Sequence, residues 1–253
     1  MDTSDVFSSK AARYAKYRWD YAPQAIQTIF DVTRISRESV AADIGAGTGI
    51  LTKHFIDKVN QVFAVEPNAQ MRQIAASELG AYPSCHIVDG RAEATTLPDQ
   101  SIDLITVAQS TNWFDPQPTK IEFSRILKPG GWLALLRNYG TDDKVGEALE
   151  EVFPAESDTA ALMRGRGTPR SLYYGSGDFT LQTFPFTTQR TWGEFIGSLS
   201  TASYAPDERS PLYADFERAA RRVFDRFSSG GLLESHGETE LYLGQVLAHT
   251  EQQ

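Results

Sequence analysis

"ADIGAGTGI", residues 42–50, is the stretch on which the reading of this chain turns. A short apolar run, residues 40–44, ends in three strictly alternating glycines, Gly45, Gly47 and Gly49, and Asp43 stands two positions ahead of the first. Glycine reaches positive φ and presents no Cβ, so a ligand can approach the backbone of such a turn closely. A helix beginning near residues 48–50, with Leu51, Phe55 and Val59 at helical spacing, would turn its free N–H groups towards the same place.

Working outward, strand and helix patterns alternate. "QVFAV", residues 61–65, reads as a strand and runs into Glu66-Pro67-Asn68, where Asn68 can cap a helix carrying Met71, Ile74, Ala75 and Leu79. "CHIV", residues 85–88, and "IDLITVA", residues 102–108, are further strands, separated by the turn "LPDQS" at 97–101. A helix with Ile121, Ile126 and Leu127 follows, then the type II turn signal "KPGG" at 128–131 and the buried strand "WLALL" at 132–136. Continuous apolar strands alternating with helices predict an α/β fold, a doubly wound and mostly parallel sheet. Ligands of such sheets sit beyond the carboxyl ends of the strands, where Gly45, Glu66, Asp89, Gln109 and Asn138 all fall.

The second half is less regular. Val145, Ala148, Leu149, Val152 and Phe153 form a helical stripe, and "RGRGTPRSLYYGSG", residues 164–177, reads as a loop whose Arg164, Arg166 and Arg170 would face solvent or attract an anion. Residues 181–191 read as a strand with Phe184 and Phe186 on one face. Leu212, Phe216, Ala220, Val223, Phe224 and Phe227 mark an amphipathic helix, and "TELYLGQV", residues 239–246, a final strand. The expected organisation is one domain over 1–253, with a helical N-terminal lid at 1–35, a cofactor half at 36–140, and an insertion between strands five and six followed by C-terminal strands at 141–253.

Composition narrows the function. A hydrophobic share of 41% is that of a folded globular chain, and a net charge of −9 without a basic cluster argues against a nucleic-acid partner. The single cysteine, Cys85, excludes an internal disulfide and fits a reducing cytoplasm. "MDTSDVFSSK" is not a secretion signal, no apolar run reaches membrane-spanning length, and the four histidines show no metal-ligand spacing. A cytoplasmic protein with no metal and no membrane partner is expected.

Nicotinamide dinucleotides and S-adenosylmethionine both lie over a glycine turn of this kind. The dinucleotide register G-x-G-x-x-G would put its third small residue at position 50, which is Ile50; the register here is G-x-G-x-G. Asp43 would repel a pyrophosphate but suits the ammonium group of a methionine moiety, and Glu66 can take both hydroxyls of a ribose. The residues therefore favour S-adenosylmethionine over an oxidoreductase cofactor.

"VAADIGAGTGILTKHF", "VFAVEPNAQM", "DGRAEATTLPDQSIDLITVAQSTNWFD" and "FSRILKPGGWLALLRN" together resemble the class I S-adenosylmethionine-dependent methyltransferases, and more narrowly the small-molecule group that includes the trans-aconitate methyltransferases. The resemblance covers roughly residues 10–140. It implies a seven-stranded sheet whose last strand is antiparallel. It implies a cofactor turn of Asp43, Gly45, Ala46, Gly47 and Gly49, a ribose carboxylate at Glu66, and Pro67 and Met71 near the adenine. It places the Ala92 N–H and the Arg91 or Glu93 side chain at the adenine edge, and Gln109 near the sulfonium. "ARYAKYRWDYAP", residues 12–23, resembles the group's N-terminal lid, which makes Tyr14, Tyr17 and Arg18 lid residues facing cofactor or acceptor. Trp113, Phe114 and Tyr204 would wall the acceptor pocket. Where the group has a histidine before Trp-Phe, this chain has Asn112. Asn112 cannot act as a base, but it can orient a carboxylate, which is already a nucleophile at neutral pH. The expected reaction is O-methylation of a small carboxylic acid, with a phenol, thiol or amine acceptor, or a non-catalytic cofactor-binding protein, as alternatives.

Overall fold

The computed structural model describes residues 11–152, 169–175, 177–201 and 205–246. In chain order these hold α1 (Ala11–Tyr17), α2 (Pro23–Thr33), β1 (Val40–Ile44), β2 (Gln61–Val65), α3 (Ala69–Leu79), β3 (Cys85–Val88), β4 (Ile102–Ala108), α4 (Pro116–Ile126), β5 (Leu127–Gly140), α5 (Asp143–Val152), β6 (Phe179–Arg190), α6 (Trp192–Leu199), α7 (Tyr213–Phe227) and β7 (Leu233–Gln245). The strands form one sheet in the order β3-β2-β1-β4-β5-β7-β6. Strands β1 to β5 pair in parallel, while β7 runs antiparallel to both β5 and β6. The carboxyl ends of six strands and the amino end of β7 therefore share one edge. This is the doubly wound, seven-stranded α/β sheet expected, with its last strand reversed and an insertion between β5 and β6.

Each face of the sheet carries its own core. Ile26, Ile29, Phe55 and Leu104 pack on one side, and Ile105, Phe123, Ile126 and Leu133 on the other, all nearly inaccessible to water. A third cluster, Phe195, Val223, Phe224 and Leu233, lies beneath α5, α6 and α7. The sequence expectations held at the strands because both faces of each are covered, which demands continuous apolar runs. Asn68 caps α3 as expected, its Oδ1 accepting the Met71 N–H at 2.9 Å.

Four details differ. The helix expected after the glycine turn is reduced to a single 3₁₀ turn, Thr52–His54, because Gly47, Gly49 and Asp57 all hold left-handed φ and interrupt any longer run. Leu51, Phe55 and Val59 are nevertheless buried. Ile121 is 70% exposed, since the inner face of α4 is formed by Thr119, Glu122, Phe123 and Ile126. Leu212 is likewise exposed, standing just ahead of α7. The described part of the 164–177 stretch is a compact turn, Arg170–Tyr174, that buries Tyr173 and Tyr174; the Tyr174 hydroxyl donates to the Tyr242 carbonyl at 2.9 Å, and the Arg170 guanidinium lies 5.0 Å over the Tyr242 ring. Arg164, Arg166, Phe153 and Tyr204 fall outside the described residues.

Glu122 holds the loop between β3 and β4 against α4. Its buried carboxylate accepts from the Thr95 N–H at 2.7 Å, from the Thr95 hydroxyl at 2.5 Å, and from Arg125 Nη2 and Nε at 2.7 and 2.8 Å. Burial opposes its charge, but Arg125 and Thr95 outweigh that and hold its pKa below the usual glutamate value. A depressed carboxylate stabilises the fold above its ordinary pKa and loses that contribution as pH falls. Glu122→Ala is expected to cost about 3 kcal/mol, because it strands the Thr95 donors and Arg125. Urea denaturation at pH 7 measures this loss, and the gap between variant and parent should narrow below pH 4.

Candidate active site

The three glycines adopt φ of 70°, 59° and 87° at Gly45, Gly47 and Gly49, conformations that side chains with a Cβ resist. Their surroundings separate their roles. A Cβ on Gly45 would lie 2.7 Å from the Ser110 Cβ and 3.3 Å from the Phe114 ring, so this glycine lets the turn after β4 close over the turn after β1. A Cβ on Gly49 would lie 2.4 Å from Leu79 Cδ1, so the third glycine serves the packing of α3. The first three backbone donors of the turn are already engaged. Gly45 and Ala46 donate to the Val65 carbonyl at 2.8 and 3.1 Å, and Gly47 donates to Glu66 Oε2 at 2.9 Å. The turn therefore offers a ligand close approach and a carboxylate rim, rather than the N–H cradle that a phosphate requires.

Two buried carboxylates bracket the turn. Asp43, 1% exposed, accepts from the Thr52 hydroxyl at 2.6 Å and the Thr106 hydroxyl at 3.1 Å. Burial, with some help from the neighbouring Glu66 charge, raises its pKa from 3.8 to about 6 against these hydroxyls. Glu66 accepts from Gly47 N–H and, through Oε1, from Asn68 N–H at 2.9 Å; burial raises its pKa too. Asp43, Gly45, Ala46, Gly47, Tyr21 and Ala108 line a small cleft at this point. The Thr48 hydroxyl, in the same turn, is buried without a hydrogen-bond partner among the described residues.

Arg72, on the first turns of α3, escaped the sequence reading. Its Nη1 donates to the Glu66 and Pro67 carbonyls at 2.9 and 2.7 Å and its Nη2 to Asp89 at 2.8 Å, tying the end of β2 to the end of β3. Pro67 is exposed beside it, and Met71 is buried under α3. In the 91–94 turn the Arg91 and Ala94 N–H groups bond to each other's carbonyls, leaving Ala92 N–H outside the pair. Arg91 is exposed, and Glu93 accepts from the Asp115 N–H, just ahead of α4, at 2.8 Å.

The turn after β4 is built differently from the expectation. Gln109 holds a φ of 60° and directs its Nε2 to the Asn138 carbonyl at 2.9 Å. Ser110, not singled out in the sequence, donates to the Gly45 carbonyl at 2.9 Å. Asn112 is exposed on the short 3₁₀ turn Thr111–Trp113, with Trp113 and Phe114 half-buried beside it. Asn138 lies inside β5 rather than past its end, because pairing with β7 extends β5 to Gly140.

The N-terminal segment crosses this edge of the sheet. Helix α1 packs on both α3 and α6, with the Tyr17 ring against Gly197. Asn138 Nδ2 donates to the Asp20 carbonyl at 2.9 Å, and Asp20 meets Lys53 at 2.9 Å and His54 at 2.7 Å. Burial opposes the Asp20 charge, yet those partners draw its pKa down to about 2. Tyr21, which the sequence did not single out, thus becomes a wall of the cleft. The side chain of Tyr14 lies outside the described residues, and Arg18 is half-buried at the end of α1. Among the described residues no cluster of side chains suits a metal, and no helix is long and apolar enough to cross a membrane.

Comparisons with known proteins follow this geometry. The family described as "Methyltransferase domain" matches residues 42–135. An uncharacterized methyltransferase of Mycobacterium tuberculosis is 33% identical over 159 residues, 62% of each chain, so the chain spans less than two thirds of that relative's length. An uncharacterized methyltransferase of Schizosaccharomyces pombe is 26% identical over 232 residues, covering 86% of this chain and 88% of the relative. Among solved structures, a provisionally named type II methyltransferase from Anaeromyxobacter dehalogenans superposes with a TM-score of 0.66 at 19% identity, over 92% of this chain and 100% of the other. Residues 42–135, which hold the glycine turn and both of its carboxylates, are therefore similar to a methyltransferase domain, and the solved structure shares the fold.

Proposed function

We propose that this chain is an S-adenosylmethionine-dependent methyltransferase acting on a small molecule, close to the trans-aconitate methyltransferase-like group, and that it methylates a carboxylate oxygen. One observation carries the choice of cofactor. The turn has its Gly45, Ala46 and Gly47 N–H groups engaged and two carboxylates at its rim, an acceptor set that suits a cationic ligand bearing ribose hydroxyls and not a pyrophosphate. Methyltransferase relatives support the reaction class. The cofactor, when bound, supplies an electrophilic methyl group.

The chain's own residues then have assignable tasks. Asp43 faces the ammonium end and Glu66 takes the ribose hydroxyls with the acceptor capacity its two backbone bonds leave over. Gly45, Ala46 and Gly47 give close approach, while Met71, Pro67 and the 91–94 turn with Ala92 bound the adenine. Gln109 fixes the end of β4 against β5. Asn112, Trp113 and Phe114 stand on the acceptor side, where Asn112 orients a carboxylate by donation. Residues 11–22, with Tyr17 and Arg18, exclude water from the reacting atoms. Tyr14 and Tyr204 remain proposed acceptor contacts.

Glu66→Gln is expected to keep the fold and weaken binding of S-adenosylhomocysteine by about 1–3 kcal/mol, the range for a lost charge-assisted hydrogen bond. Calorimetry giving unchanged affinity would remove Glu66 from the ribose.

The pH dependence of binding follows from Asp43. Between its ordinary 3.8 and about 6 the folded chain without ligand holds an extra proton, so that chain loses stability as pH rises through about 6. A ligand ammonium group requires the ionised carboxylate and therefore binds better as pH rises through the same interval. Affinity for S-adenosylhomocysteine should fall from pH 7.5 to pH 5. Glu66 shifts in the same direction, so Asp43→Asn is the control: it should bind weakly at both values and lose most of the dependence.

With cofactor saturating, turnover should be flat between pH 7 and 8, since a carboxylate acceptor needs no base. Asn112→Asp should be slower than Asn112→Ala, because it repels the anion. An acceptor screen read by mass spectrometry that returned only phenols, amines or thiols would redirect the assignment.

A further inference from the structure

Arg190 ends β6 at the same edge of the sheet and is 9% exposed. Its guanidinium lies 5.0 Å over the Trp19 ring and 5.2 Å over the Phe195 ring. Nη2 donates to the Ser235 hydroxyl at 2.5 Å, while Nε is buried with no hydrogen-bond partner. Among the described residues no carboxylate lies within salt-bridge distance of it; the nearby Glu194 instead completes the capping box of α6 with Thr191. Burial lowers its pKa to about 10, so it remains a cation at neutral pH.

The surroundings repeat the pattern. Thr188 stands two residues before Arg190 on β6, hence on the same face, and opposite Ser235 of β7. Its hydroxyl is buried and unpartnered. Phe186, two residues earlier again, meets the Trp19 ring edge-on at 5.4 Å, and Trp19 Nε1 is the third buried polar atom without a partner. Six buried polar atoms lack partners among the described residues, and three of them belong to this one face. Unsatisfied buried donors are costly, and an unpaired buried cation more so. With two aromatic rings beside the guanidinium and no carboxylate partner among the described residues, its planar fork of N–H groups suits the two oxygens of a carboxylate. Trp19 forms the outer wall and belongs to the irregular stretch 18–22 that leads to Tyr21 in the cofactor cleft.

We propose that Arg190, with Trp19 Nε1 and the Thr188 hydroxyl, is a carboxylate seat that holds the acceptor of the methyl group. The proposal deepens the methyltransferase reading and rests on it for the word acceptor; the seat itself does not. The methionine carboxylate of the cofactor shares this chemistry, so the test separates the two sources.

Three measurements on the full chain decide it. Thermal unfolding without ligand comes first: Arg190→Met removes an unpaired buried cation and should leave the midpoint unchanged or raised, whereas a fall of several degrees would make Arg190 a structural residue and overturn the proposal. The second measures unfolding with acetate, succinate or citrate at constant ionic strength. At least one should raise the parent's midpoint by about 2–4 °C, the shift Arg190→Met should lack and Arg190→Lys retain in part. No shift with any of the three, or an equal shift in Arg190→Met, would overturn it. Third, calorimetry with S-adenosylhomocysteine should give affinities within about threefold in parent and Arg190→Met. A loss of about tenfold would assign the seat to the cofactor's carboxylate and overturn the acceptor assignment. Absence of any S-adenosylhomocysteine binding to the parent would sink the cofactor reading and with it the acceptor role, while the carboxylate-induced shift would still report on the seat.

Discussion

The hydrogen bond from Gly47 N–H to Glu66 Oε2 joins the turn after β1 to the residue after β2, and the rest of the site is arranged around it. Gly45 and Ala46 donate to the Val65 carbonyl, so three consecutive N–H groups of the turn converge on the end of one neighbouring strand. That convergence requires left-handed φ at Gly45 and Gly47, which is why the first two glycines stand where they do. It also brings Glu66 beside the buried Asp43. Loss of solvent raises both carboxylates, the Glu66 charge adds to this at Asp43, and the Thr52 and Thr106 hydroxyls offset only part of it there. With the Gly45, Ala46 and Gly47 N–H groups engaged and two carboxylates beside them, the turn is a poor place for an anion.

Asn138 connects this turn to the N-terminal segment. Its carbonyl receives Gln109 from β4, its Oδ1 receives the Thr239 hydroxyl from β7 at 2.6 Å, and its Nδ2 reaches the Asp20 carbonyl. The Thr239 hydroxyl also accepts from Ala22 N–H at 3.0 Å. One half-buried amide and one buried hydroxyl therefore position β4, β5, β7 and residues 20–22 together. The ion pair of Asp20 with Lys53 and its hydrogen bond with His54 add to this from the solvent side, where screening limits the worth of the ion pair. The wall formed by Tyr21 is consequently set by the sheet edge and not by α1 alone.

The fold was legible where burial dictates residue type. Strands covered on both faces must be apolar throughout, so β2, β3 and β4 could be bounded to the residue, and Asn68 announced α3 by capping chemistry. The site was legible in part, because Asp43, the glycines and Glu66 lie within local motifs. What escaped was held by contacts between distant segments. Thr106 reaches Asp43 across 63 positions and Ser110 reaches Gly45 across 65, and neither serine nor threonine advertises a partner. Arg72 reads as a surface helix residue until β3 places Asp89 beside it. The helix expected after the turn failed for a local reason, since the left-handed glycines that shape the turn also break helical φ.

Charge burial at the sheet edge has opposite signs at its two ends. Asp43 and Glu66 are buried anions beside β1 and β2, and Arg190 is a buried cation at the end of β6, with α1 packed on both α3 and α6 between them. In none of the three does the fold supply a full counter-charge: hydroxyls and N–H groups serve the anions, aromatic rings and one hydroxyl the cation. Each arrangement costs stability that an apolar substitute would not. Elsewhere the chain neutralises such groups directly, as Arg125 does for Glu122. The contrast separates charges that hold the fold together from charges left incomplete. A ligand with a cationic centre near one end and a carboxylate-bearing acceptor near the other would complete both sets, and the reacting atoms would then lie between them, beneath Tyr21 and Trp19.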